Sequence, residues 1–196
     1  MAIPLSAAEQ TGASGVRIVE WPREEFSERA IELMRIYASA MGYPPSSAGY
    51  RADTARRHLD YAGLQIRVAV DAEGAPVGFA YGYQTKPGQW WHDLVHRAMG
   101  PNLRDMWLSN AFELSEMHVA PALQGQGIGR ALLRELCAGV TERTILLSTP
   151  DADTRAFRLY HSMGFIDLVR SYLFPGDSRP FAVLGSTLPL REGNPS

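Results

Sequence analysis

The chain is short of several things that would narrow its class at once. It has a single cysteine, Cys137, so it has no second thiol for an intramolecular disulfide and no cysteine set for a zinc cluster. No metal site is expected. A lone cysteine on a helical segment reads as a small apolar side chain rather than a nucleophile. No apolar run approaches the roughly 18 residues that span a bilayer, and residues 1–14 lack the basic start and apolar centre of a secretory leader. A cytoplasmic protein with no membrane partner is the expectation. Long runs of Lys or Arg are also missing and the net charge is −2, which removes the electrostatic footprint of a nucleic-acid binder. There is no internal repeat and no low-complexity segment.

What the chain does have is 196 residues, 45% hydrophobic and 20% charged, enough for one core. The reading is one domain over residues 16–190, between a flexible arm of Ala, Ser and Gly at 1–15 and a tail at 191–196. Val16 to Trp21 reads as a strand. Pro22 opens a helix whose apolar stripe, Phe26, Ala30, Leu33, Met34 and Tyr37, runs to about Met41. A loop over Gly42 to Gly49 leads to a second helix, Tyr50 to Tyr61, with Arg56, Arg57 and His58 turned to water. Ile66 to Val70 and Pro76 to Tyr83 form a hairpin across Asp71 to Gly74. Residues 85–110 form an unusually long connection with one short helix, His92 to Met99, and suit a flap or an oligomer contact. Later strands are expected at Thr144 to Thr149, Phe165 to Phe174 and Phe181 to Leu188, with a turn at Pro175 to Ser178.

The centre of the sequence carries the chemistry. Phe112 to Val119 alternates partially, like a strand with one face open to a cleft, and Pro121 ends it. Gly125, Gly127 and Gly129 then precede Ile128, Leu132, Leu133 and Leu136, an apolar helical stripe that Gly139 stops. Free N–H groups in a first helical turn, with the helix dipole, attract an anion, and Gln124, Gln126 and Arg130 can add donors; a pyrophosphate suits such a loop. Two better-known glycine motifs fail. A P-loop needs Lys-Ser/Thr after its last glycine, where this chain has Arg130-Ala131, and the dinucleotide fingerprint needs a third small residue where this chain has Arg130 or Leu132.

The residues do match Gln/Arg-x-x-Gly-x-Gly, as Gln124-Gly125-Gln126-Gly127-Ile128-Gly129 after Val119-Ala120-Pro121. This resembles the acetyl-coenzyme A loop of the GNAT superfamily of N-acetyltransferases. Asp153-Thr-Arg-Ala-Phe-Arg-Leu-Tyr160-His-Ser-Met-Gly164-Phe165 resembles a second element of that family, Asn-x-x-Ala-x-x-Leu-Tyr-x-x-x-Gly-Phe, in the proper order. The resemblance implies an α/β (α+β) GNAT fold: a mixed, mostly antiparallel sheet of about seven strands flanked by helices, with two strands splayed into an acyl-coenzyme A cleft. It implies acetyl-coenzyme A as co-substrate, held by the strand residues Met117, His118 and Val119, mainly through main chain, by Gln124, Gly125, Gln126, Gly127, Ile128, Gly129 and Arg130, and near Tyr160. Asp153 stands where the family has Asn, often a cofactor contact, so the resemblance implies a place for it at the cofactor site, and it is expected to cap the following helix.

Acetyl transfer to an amine needs a neutral nitrogen, a polarised carbonyl and a proton for the leaving thiolate. By resemblance Tyr160 supplies the proton; its reference pKa of about 10 is close to the thiol's, about 8.5. The main-chain N–H of Met117 polarises the carbonyl. Glu116 is the favoured general base and Glu113 the second; three apart, they face opposite sides of a regular strand, and a bulge on that strand would change the parity. His118 shares the face of Glu116. The aromatics Tyr81, Tyr83, Trp90 and Trp91 either line an amine pocket or pack beneath the long connection. The leading expectation is an N-acetyltransferase acting by direct transfer on a small-molecule or peptide amine. The alternatives are a non-catalytic acyl-coenzyme A module, or an acyltransferase using another donor or an oxygen acceptor. A homodimer is one assembly to consider, dimers being frequent in the family.

Overall fold

The computed structural model describes residues 15–190. The expected arm at 1–15 and tail at 191–196 lie outside it, apart from Gly15. Within the described residues seven strands form one sheet in the order β1-β2-β3-β4-β5-β7-β6. They are β1 (Arg17–Glu20), β2 (Gln65–Val70), β3 (Pro76–Gln84), β4 (Ala111–Val119), β5 (Thr144–Pro150), β6 (Ile166–Tyr172) and β7 (Phe181–Thr187). Every neighbouring pair is antiparallel except β4 with β5. The helices are α1 (Arg23–Met41), α2 (Ser47–Arg57), α3 (Trp90–Ala98), α4 (Pro101–Trp107), α5 (Ile128–Ala138) and α6 (Arg155–Ser162).

Both faces of the sheet are covered, because its central strands are apolar on both sides. One face packs Ala80, Leu114, Ile145 and Leu147 against Leu132, Leu133 and Leu136 of α5 and Tyr160 of α6. On the opposite face, Val68, Phe79 and Tyr81 pack against Phe26, Leu33, Met34 and Tyr37 of α1 and the alanines of α2. Burying each large side chain contributes about 1.5–3 kcal/mol, so the stripe read from α1 holds that helix on the sheet. Helix α2 depends on small residues: Ala48, Ala52 and Ala55 are buried at helical spacing and allow close approach to α1.

Three sequence expectations change here. The second helix begins at Ser47, earlier than Tyr50, and a short 3-10 turn at His58–Asp60 follows it. The long connection holds two helices, α3 and α4, rather than one; Trp91, Leu94, Val95 and Trp107 join a third apolar cluster with Phe174 and Val183. The cap of α6 is Thr154, whose side chain accepts from the Phe157 N–H at 3.0 Å, and not Asp153, which is exposed and ion-paired with Arg158 at 2.6 Å. The threonine takes the cap because it stands immediately before the first helical residue, in extended backbone, where a side-chain oxygen reaches the N3 amide.

Candidate active site

Two features of β4 create the site. The first is where it leaves β5: the strands pair only at Ala111 with Thr144, Phe112 with Ile145 and Glu113 with Leu146. Beyond Glu113, β4 stays on β3 while β5 stays on β7, so the sheet opens. The second is a bulge. Tyr81 pairs with Glu116 but Gly82 pairs with Leu114, leaving Ser115 as the extra residue. Glu113, opposite Tyr83, and Glu116, opposite Tyr81, therefore share one face, with His118 opposite Phe79. A regular strand would separate the two carboxylates. The bulge needs Gly82, since a Cβ there would lie 2.2 Å from the carbonyl oxygen of Glu113 and 2.5 Å from the ring of Phe112.

The opening becomes a cleft of about 1360 Å³ that runs from the glycine loop to the α2 side of the sheet. Tyr160, Glu113, Glu116, Met117, His118, Val119 and the loop residues Gln124, Gly125, Gly127, Ile128, Gly129 and Arg130 all line it. Gln126 and Asp153, expected at the same site, are not in its lining.

At the loop end, the first bond that ties α5 to its entry runs from the Ala131 N–H to the Gly127 carbonyl at 3.0 Å. Among the described residues, no acceptor meets the main-chain N–H groups of residues 125–130. Gly127 makes this possible with φ +84, a left-handed conformation that side-chain-bearing residues rarely adopt. A row of unpaired amides at a helix start is an anion site. The flanking side chains also bond within the protein. The Gln124 amide donates to the Val119 carbonyl at 3.1 Å and so ties the loop to the strand. Arg130 donates to the Ser162 hydroxyl at 2.7 Å and so bridges α5 to α6.

In the middle of the cleft, Tyr160 is 5% exposed and packs on Phe165. Burial and the charge of Glu116 hold its hydroxyl above the usual tyrosine range, so it stays protonated. Among the described residues, its oxygen has no hydrogen-bond partner. Glu116 is partly exposed, with Oε2 2.6 Å from Nε2 of His118, a spacing that suits an N–H donating to a carboxylate. Glu113 is 3% exposed, and burial pushes its carboxyl up to about 8. Oε1 accepts from the Tyr83 hydroxyl at 3.0 Å, while Oε2 and the hydroxyl of neighbouring Thr85 are buried without partners among the described residues. The two carboxyls therefore share a face and differ in environment. Burial also holds the Cys137 thiol up at about 12, which leaves no thiolate near neutral pH.

The far end is aromatic. Tyr37, Tyr43, Tyr61, Tyr81, Tyr83, Trp90 and Trp91 line it, so all four aromatics singled out in the sequence face the cleft. Trp91 is fixed by its indole N–H donating to the Ser148 hydroxyl of β5 at 3.1 Å. Two groups went unread in the sequence. His58, expected to face water, lies with Nδ1 3.1 Å from the Tyr81 hydroxyl, stacks on Tyr61, and is lowered below the ordinary imidazole range by burial. After β6, Phe174, Pro175, Gly176, Asp177 and Arg179, around the turn read at Pro175 to Ser178, also line the cleft. Its Arg179 reaches across to the Tyr43 hydroxyl while pairing with Asp177 at 2.7 Å. The helical spacing of the α2 alanines was an available signal for Arg51 and Thr54, which lie between them and so face away from α1; His58 lies beyond the helix and had no such signal.

Among the described residues, no group of His, Cys, Asp and Glu is arranged to hold a metal ion, and no helix is long and apolar enough to cross a membrane. A family model described as an acetyltransferase (GNAT) domain matches residues 63–167. A GCN5-like protein acetyltransferase of Mycobacterium tuberculosis is 37% identical over 202 residues, covering 88% of this chain and 98% of that protein. Over a shorter stretch of 77 residues, 34% of this chain and 25% of the relative, N-alpha-acetyltransferase 40 of Saccharomyces cerevisiae is 40% identical. Among solved structures, a GCN5-related N-acetyltransferase from Kribbella flavida superposes with a TM-score of 0.60 at 20% identity, covering 89% of this chain and 98% of that one. An acetyltransferase of the GNAT family from Staphylococcus aureus superposes with a TM-score of 0.59 at 19% identity, covering 88% and 99%. At these identities the structural matches speak to the fold alone.

Proposed function

The chain belongs to the GNAT acetyltransferase family and is accordingly an acyltransferase, and from that premise we propose that it moves an acetyl group from acetyl-coenzyme A directly to an amine. The observation that carries this reading is the continuity of one cleft from the unpaired amides of residues 125–130, past Tyr160, to the carboxylate of Glu116. The fit to the donor rests on that row of N–H groups, which suits a pyrophosphate, and on β4 beyond Glu113, whose side facing β5 has no strand partner. Acetyl-coenzyme A supplies an acyl group on a thiol that leaves readily once protonated.

The protein's own residues do the rest. Gly125 to Arg130 bind the phosphates through main chain, with Met117 and Val119 along the strand and the Met117 N–H directed at the acyl carbonyl. Glu116 takes a proton from the incoming ammonium, directly or through water, with His118 holding its carboxylate in place. Glu113 is a poor base for this step because burial keeps it protonated near neutral pH. Tyr160 donates to the departing sulfur, a role that its protonated, unpartnered hydroxyl suits. Transfer is direct, since the Cys137 thiol is too weakly acidic to carry the acyl group. The Mycobacterium relative is named as a protein acetyltransferase, so peptide amines stand beside small-molecule amines as acceptors.

The test is thiol release from acetyl-coenzyme A across a panel of small amines and peptides, with propionyl- and succinyl-coenzyme A as competing donors. Tyr160→Phe should lower turnover by about 10²- to 10⁴-fold while donor affinity by calorimetry stays within about twofold. Full donor binding without release on any amine would leave a binding module, and absence of binding at millimolar concentration would end the proposal.

A further inference from the structure

The acceptor half of the cleft has one partly buried cation with which no carboxylate of the described residues pairs. Helix α2 buries Ala48, Ala52 and Ala55 and turns Arg51, Thr54 and Arg57 to the cleft, with His58 just after it. Of the arginines in that half, Arg179 is taken by Asp177, through Nε at 3.0 Å and Nη2 at 2.7 Å, and by Tyr43. Arg57 is exposed and donates to the Thr54 hydroxyl at 2.9 Å. Arg51 is partly buried, with its guanidinium over the face of Tyr37, 5.1 Å from the ring centroid. Among the described residues, it has no ion pair and no hydrogen bond. The acids near it are already engaged: Asp53 on its own helix pairs with Arg56 at 2.9 Å, and Asp177 is held by Arg179.

A guanidinium presents five N–H donors in a planar fork, and in this wall no protein acceptor of the described residues meets them, which leaves the fork free for a ligand in the cleft. The ring beneath Arg51 also positions the cleft's anion. Tyr37 meets the His118 ring edge-on at 4.8 Å, and His118 holds Glu116. The cleft thus carries an anionic group next to the proposed transfer point and an unpaired cation beyond the rings of His118 and Tyr37. We propose that the acceptor is a zwitterion, an amine that also bears a carboxylate, with its ammonium directed to Glu116 and its carboxylate anchored on Arg51. This rests on the reading of amine acetylation above and narrows it. The arrangement opposes the charges of such a molecule one for one, and the guanidinium fork accepts a carboxylate through two parallel hydrogen bonds that an uncharged amide cannot reproduce.

The experiment compares each amine acid with its primary carboxamide, by thiol release from acetyl-coenzyme A. One series uses free amino acids of increasing amine-to-carboxylate distance, and the other uses short peptides with an acidic residue near the amino end; the two separate a small-molecule acceptor from a peptide. The wild-type protein should favour the acid over its amide by about 10- to 100-fold in kcat/KM in at least one series. Arg51→Gln should collapse that ratio to within about threefold, chiefly through KM for the acid, and Arg51→Lys should restore part of it. Equal use of acid and amide by the wild-type protein overturns the proposal, as does a preference that survives in Arg51→Gln. Thiol release on amides alone also counts against it and leaves amine acetylation standing, whereas no release on any amine removes the parent reading first.

Discussion

At the scale of single residues, Glu113 and Glu116 show how strongly position decides chemistry. They share a strand face, yet one is sealed behind Tyr83 and Thr85 and the other opens to the cleft beside His118. The Glu113 carboxyl, near 4.5 in the unfolded chain, rises to about 8 on folding because burial penalises its charge, with the charge of Glu116 acting in the same direction. The folded state therefore holds the proton more tightly, so stability from this group is complete below about 4.5 and is lost as pH rises through about 8. Glu113→Gln carries no such proton. Urea melts between pH 5 and 8.5 should show the wild-type protein losing on the order of a few kcal/mol that the variant retains. A parallel decline in both proteins would mean that Glu113 is ionised in the fold.

At the scale of elements, the bulge at Ser115 brings the candidate base to the acceptor face, and Gly82 permits it. Gly82→Ala would force a methyl against the Glu113 carbonyl and the Phe112 ring. We expect a loss of at least about 3 kcal/mol by denaturant melting, since main chain cannot yield as a flexible side chain can. A loss under about 1 kcal/mol would show that the bulge can regularise. The same element marks the limit of what the sequence reveals. The glycine loop, the Tyr160 helix and the apolar stripe of α1 were legible because each is a local pattern with a local cause. Which side Glu113 takes was not, because the extra residue arises from pairing with Gly82, some thirty positions earlier. Helix α4 went unread because it is short, and the cleft-facing role of His58 because a polar residue after Arg56 and Arg57 looks like a wetted surface. The expected anion donors Gln124 and Arg130 also bond to Val119 and Ser162, partners that only the folded turn supplies.

At the scale of the molecule, the aromatic end of the cleft is spanned by a contact between distant segments. Arg179, between β6 and β7, meets Tyr43, just after α1, by hydrogen bond and across the ring face. With Asp177 also bound to Arg179, and held down to about 2 by that guanidinium, the contact joins the two walls. Arg179→Ala should raise amide hydrogen exchange in both segments, 42–46 and 174–180, with α5 unaffected. Faster exchange confined to 174–180 would mean that the walls are independent.

The parting of β4 from β5 after Glu113 also bears on how such a protein diversifies. One edge of β4 faces a gap where another strand would lie, so a guest seated there is recognised through peptide groups that every residue type possesses. On one face of the same strand Glu116 and His118 point out of the sheet plane, toward the acceptor under the proposed function, while Leu114 and Val119 pack into the core on the other. Under the proposed function, substitution beside Glu116 on that face can thus rewrite the choice of acceptor while leaving the grammar of donor recognition intact, so that one strand answers two selective pressures through different atoms.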